Sequence, residues 1–235
     1  MNKRMLILFA AIQAVIVLIG YAWFEELPSH APEEKMAPDS FMVKGKQICV
    51  RKGDSWEKFE IRGVDMGTGI PGHWSTDFAI DKETYLRWFQ AIKEMGANTV
   101  RIYTIHPESF YEALYAYNSG NDDPLYLLQG VWVDEYAQNS HVDAFDRAFA
   151  DAFLRDCQQA VDVIHGRKTI GTDAPKNVAK GTFRKDISPW VIGYIIGVEW
   201  EPVVVSYTND RYAADPEKAQ YRGGVSLYHG RRIPL

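Results

Sequence analysis

Along the chain the hydrophobic positions switch between a period of two and a period of about 3.6, and the switches predict alternating strands and helices. Phe41-Met42-Val43 and Gln47-Ile48-Cys49-Val50 flank Lys44-Gly45-Lys46 as a small hairpin, and Phe59 to Met66 is the next strand. Asp81 caps a helix whose apolar stripe is Tyr85, Trp88, Phe89, Ile92 and Met95, with Gly96 as the stop. A strand from Asn98 to Tyr103 follows. Pro107 then opens a helix carrying Phe110, Tyr111, Leu114 and Tyr117, and Gly120 closes it. Leu125 to Trp132 is a strand, and Asp143 to His165 is a helix with Phe145, Phe149, Phe153, Cys157, Val161 and Ile164 at helical spacing. The polar, basic stretch 166–189 is long for a connection and of the kind that often serves function. The apolar run Val191 to Val198 completes the order β, α, β, α, β, α, β. Such an order predicts a parallel sheet with right-handed crossovers, either a doubly wound sheet or a barrel. No glycine-rich phosphate fingerprint follows the first strand, which argues against nucleotide binding.

The front of the chain lacks this alternation. Met5 to Phe24 carries no charge and, at about 1.5 Å per residue, is long enough to cross a hydrocarbon core of roughly 30 Å. It outruns the apolar part of a signal peptide and ends in Tyr21-Ala22-Trp23-Phe24, so residues 1–24 are expected to be an uncleaved membrane anchor. Lys3 and Arg4 before it and Glu25 and Glu26 after it place the remainder outside the cytoplasm. Residues 25–40, with Pro28, Pro32 and Pro38 among acidic side chains, read as a solvated tether, which leaves 41–235 as the folded domain. A net charge of −5 without a basic stripe gives no reason to expect nucleic acid. Cys49 and Cys157 belong to no metal or redox spacing and read as small packed side chains. No metal ion or organic cofactor is implied.

Chemistry gathers at the strand ends. The period of two puts Thr99, Arg101 and Tyr103 on one face of their strand, with Val100 and Ile102 facing the helices. The last strand ends in Val198-Glu199-Trp200-Glu201-Pro202, where Glu199 and Glu201 can share a face. A glycosidase uses one carboxyl to protonate the leaving oxygen and a second as nucleophile or base, about 5 Å apart when configuration is retained. Glu199 and Glu201 are the catalytic candidates, although two side chains of one strand approach a bond from the same side. Trp74, Trp132, Trp200 and Tyr103 are candidate platforms for sugar rings. Asp65, ending the first of the alternating strands, and His106, beyond the second, are rim candidates, with a surface histidine the plainer reading of His106.

These residues resemble a family. Gly63-Val64-Asp65-Met66-Gly67, Pro71-Gly72, Tyr85 to Trp88, and Met95-Gly96-Ala97-Asn98-Thr99-Val100-Arg101-Ile102-Tyr103 resemble the start of the catalytic barrel of clan A glycoside hydrolases, especially the family 2 type. Pro124 to Trp132 and Ile195 to Glu199 continue the resemblance, which covers residues 58 to 205. It implies an α/β fold, a partial (β/α)8 TIM barrel of about four β/α units behind the transmembrane helix. It also implies a retaining glycoside hydrolase or transglycosylase acting on an oligosaccharide or polysaccharide. Aligned on Gly197, Glu199 takes the acid/base role; aligned on Pro202, Glu201 does. Arg101 matches the arginine that contacts the nucleophile, and Asp65, Tyr103, Trp132 and Trp200 fall where substrate would bind. The family's Asn before the acid/base is replaced by Val198 or Trp200, and the nucleophile's strand has no counterpart. Gly224 to Leu235 reads as an unpatterned tail such as a frameshift leaves. The expectation is a truncated, weakly active or inactive glycosidase or, alternatively, a non-catalytic membrane-anchored carbohydrate-binding or assembly module.

Overall fold

A computed structural model describes residues 40–133, 143–198, 200–215 and 217–218, with the strand backbones Val225–Tyr228 and Arg231–Pro234. β1 (Phe41–Lys44), β2 (Gln47–Lys52) and β3 (Ser55–Lys58) pair antiparallel in that order. The first two are the anticipated hairpin. The third, Ser-Trp-Glu-Lys, is exposed at all four positions and has no apolar alternation to betray it. It forms because Gly53, at φ 58°, turns the chain back and lets main-chain hydrogen bonds pair it with β2. Phe41, Phe59 and Tyr126 then pack edge to face at 5.0–5.4 Å, which attaches this small sheet to the N-terminal edge of the main one.

The main sheet begins with β4 (Gly63–Met66), followed by α1 (Lys82–Glu94), β5 (Thr99–Ile102), α2 (Glu108–Asn118) and β6 (Tyr126–Trp132). Asp81 caps α1 by accepting the Thr84 N–H at 2.8 Å, and its hydrogen bonds with Thr84 hold its carboxyl below the ordinary range. Tyr85, Phe89 and Ile92 are buried along one stripe of α1, and the rings of Tyr85 and Phe89 meet Phe110 of α2 at 5.2 and 5.6 Å. Burying each such ring contributes roughly 1.5–3 kcal/mol. Two asparagines fasten the strand entrances. Asn98 donates to the Glu60 carbonyl at 2.8 Å and accepts from the Arg62 N–H at 2.9 Å; Asn118 donates to the Leu125 carbonyl and accepts its N–H at 2.8 and 2.9 Å.

Next come α3 (Arg147–Ile164), β7 (Lys168–Ile170), β8 (Gly181–Phe183), β9 (Val191–Val198) and α4 (Pro202–Arg211), then the antiparallel pair β10 (Val225–Tyr228) and β11 (Arg231–Pro234). Helix α3 starts later than its apolar pattern suggests. Asp146 is the cap, accepting the Phe149 N–H at 3.1 Å, whereas the buried Asp143 accepts from Phe145 N–H and pairs with Arg211 of α4, both at 2.9 Å. Cys49 on β2 and Cys157 on α3 are free thiols, buried and half-buried respectively.

The partial (β/α)8 TIM barrel must be corrected. The described residues form a mixed α/β arrangement. A parallel sheet of order β4-β5-β6-β9 is accompanied by antiparallel sheets of three, two and two strands. The strict βα alternation is broken between α3 and β9, where the stretch read as a long connection folds back as the β7–β8 hairpin. Among the described residues β4 and β9 each pair with one neighbour, so the parallel sheet is open. No helix among them is long and apolar enough to cross a membrane. The apolar run 5–24, the tether up to residue 39 and Glu199 lie outside the described residues.

Candidate functional site

Parallel pairing places Asp65 of β4 directly beside Arg101 of β5. Arg101 Nη1 lies 3.3 Å from Asp65 Oδ2, and the Tyr103 hydroxyl donates to that same oxygen at 3.1 Å. The guanidinium carbon of Arg101 stands 4.5 Å over the Tyr103 ring, and that ring meets Trp132, ending β6, at 6.4 Å and 62°. Four of the residues singled out from sequence thus converge where three adjacent strands end. The reason is local: period two turns Arg101 and Tyr103 away from the helix layer while Val100 and Ile102, fully buried, face it.

The ion pair is half in water, with 52% of the Asp65 side chain and 31% of the Arg101 side chain exposed, so it contributes at most about 1 kcal/mol. Its value is geometric. Carboxylate, guanidinium and phenol lie in fixed relation beside an indole, and among the described residues the buried Nε of Arg101 has no hydrogen-bond partner. Such a cluster offers an acceptor, a forked donor and two aromatic faces. Trp74, 81% exposed on the loop after β4, is a further aromatic face on the surface.

The other predicted site residues go elsewhere. Trp200 packs edge-on against Phe149 and Phe153 of α3 at 5.9 and 5.5 Å, with its Nε1 donating to the Ile196 carbonyl at 3.4 Å. Its indole occupies the space a side chain on Gly197 would need, and Gly197 sits at φ 78°, so the turn out of β9 requires glycine. Glu201 is exposed in the N-cap position of α4, ahead of Pro202 at the first helical position. The reading of Glu199 as acid/base falls outside the described residues.

His106 is not a surface side chain. It is 1% exposed, 3.1 Å from the Tyr85 hydroxyl through Nδ1, and burial pushes its pKa down to about 3. Its main-chain N–H reaches the Tyr111 hydroxyl at 3.4 Å, which donates to the fully buried Gln129 at 3.1 Å. Burial pushes the phenols of Tyr85 and Tyr111 up. This polar chain under the strand ends escaped the sequence reading because Tyr85 and Tyr111 count as apolar stripe members. Among the described residues no group of three His, Cys, Asp or Glu side chains comes together to hold a metal ion. No known protein family, characterised protein or solved structure matches the chain.

Proposed function

We propose that the chain binds oligosaccharide or polysaccharide at the C-terminal edge of its parallel sheet, as a relative of clan A glycoside hydrolases whose own hydrolysis is weak or absent. The observation that carries the reading is the Asp65–Arg101–Tyr103 network beside Trp132. A sugar ring presents an apolar C–H face and a rim of hydroxyls; an aromatic face takes the first, and a guanidinium with a carboxylate takes the second. The resemblance of 63–67 and 95–103 to the glycoside hydrolases supplies the substrate class.

Hydrolysis asks for more than binding. A retaining enzyme needs two carboxyl groups about 5 Å apart that flank the scissile bond. Asp65 is the one carboxylate in the described cluster, and it already accepts from Arg101 and Tyr103. Glu199 remains the acid/base candidate on the resemblance alone.

Calorimetric titration of the full-length chain with neutral oligosaccharides tests this reading. Binding is expected at millimolar affinity or better, weakened about tenfold or more in Arg101→Met and in Trp132→Ala, since a charged hydrogen bond or a stacked ring is worth roughly 1–3 kcal/mol. Aryl glycosides should turn over no faster than background. Turnover abolished by Glu199→Gln would instead make the chain a working glycosidase or transglycosylase, and absence of any sugar binding would remove the reading altogether.

A further inference from the structure

A cavity of about 730 Å³ opens beside Trp132, between the ends of β5 and β6, helix α3 and the 174–179 turn that joins β7 to β8. That volume lies within the range of sites that take small organic ligands and far exceeds what one or two waters fill. Ile105, Val131, Ile170 and Val178 supply apolar wall, and Thr104, Gln159 and Asn177 supply hydroxyl and amide groups. Among the described residues that line it, Asp156 is the one ionisable side chain and none is cationic. The lining therefore suits an uncharged ligand that is part apolar and part hydrogen-bonding, and it disfavours an anion.

We propose that this cavity is a second saccharide subsite, built by the β7–β8 hairpin, which accepts neutral sugar residues continuing from a ring stacked at Trp132. The proposal rests on the carbohydrate reading above and adds to it the charge class and the length of the ligand. Trp132 is the hinge of the argument: it lines the cavity and its ring also meets Tyr103 of the Asp65–Arg101 cluster. A sugar ring stacked on Trp132 would border both.

The hairpin is anchored as a wall. The Thr182 N–H donates to Glu108 Oε2 at the start of α2 at 3.0 Å, Phe183 meets Tyr111 edge to face at 5.3 Å, and the Ile187 N–H donates to the Ile164 carbonyl at 2.9 Å. Within the tip, Ala174 and Val178 N–H groups close turns onto Gly171 and Pro175 carbonyls at 3.2 and 3.1 Å, and Lys180 Nζ donates to Pro175 at 3.2 Å. A wall ordered before the ligand arrives spares the entropy of ordering it on binding. It also gives the long segment between α3 and β9 a task that a plain connection would not need.

The test compares neutral oligosaccharides of one to four rings, titrated calorimetrically into the full-length chain and three variants. Ala174→Trp and Val178→Phe fill the cavity from the hairpin, and Arg101→Met alters the cluster. The wild type should gain about tenfold or more in affinity between one ring and three. Both cavity variants should lose that gain while keeping the single-ring affinity, and Arg101→Met should weaken every length by a similar factor. Uronic-acid oligomers should show no gain with length. A gain that is absent from the wild type, or that survives in both cavity variants, overturns the subsite and leaves Arg101-dependent binding standing. No binding at any length overturns both readings.

Discussion

His106 shows how much a single buried ring can set. Its pKa of about 3 arises first from desolvation, and a hydrogen bond to the Met66 main chain, which favours the charged ring, is the smaller effect. In the unfolded chain the same ring titrates at about 6.5. The folded value is thus depressed, so the stability it contributes is complete above about pH 6.5 and is lost as pH falls toward 3, where the unfolded state alone takes up the proton. Denaturant unfolding followed from pH 7 to pH 4 should show wild-type stability falling on this account by roughly 1 kcal/mol per pH unit, and His106→Gln should fall less steeply whatever its stability at pH 7. Parallel slopes for the two proteins would mean that His106 is protonated without cost in the folded state. The sequence showed a histidine just past a strand and nothing of its surroundings, because burial here comes from Tyr85 of α1 and Phe110 of α2, residues 21 and 4 positions away along the chain. Arg101 and Tyr103 were legible for the opposite reason: a period of two is a property of the strand itself.

Elements divide the same way. Helices α1 and α2 were readable because their apolar stripes and caps are local, while β3, β7 and β8 were not, being three or four residues long and held by pairing rather than by apolar alternation. The start of α3 was misplaced because two aspartates three residues apart, Asp143 and Asp146, both suit a cap, and only the fold tells that Asp143 is taken by Arg211. A side-chain hydrogen bond ties the β7–β8 hairpin to α2 beside the Phe183–Tyr111 ring contact. Glu108 accepts the Thr182 N–H from half-buried surroundings, and leaving that N–H without a partner costs about 1–3 kcal/mol. That cost should fall on the hairpin, not on the sheet. Hydrogen exchange of Glu108→Ala is expected to show faster exchange across 168–183, with β5 and β6 protected as in the wild type. Uniform loss of protection would mean that the hairpin and the sheet open as one unit.

At the scale of the molecule, a parallel sheet followed from alternating periods, since each β, α, β unit returns the chain to run a second strand in the same direction, while the order β4-β5-β6-β9 is set by the fold. What alternation could not supply is closure, because whether a sheet ends or continues depends on pairing between distant segments. The described sheet ends at β9, an eight-residue strand whose second edge has no partner among the described residues and whose Ile196 is 55% exposed. Long apolar edges pair readily with other copies of themselves, and lysine on such an edge is the usual deterrent, because burying its charge against a second strand is costly. Self-association of the full-length chain is therefore expected to increase with concentration, and Ile196→Lys should reduce it. Since Ile196 is already more than half exposed, the substitution removes little buried apolar area and the melting temperature should change by no more than a few degrees. Light scattering across a concentration series separates the possibilities. Scattering that rises equally in both proteins would place the sticky surface elsewhere, and scattering that stays flat in the wild type would mean that the β9 edge is already covered.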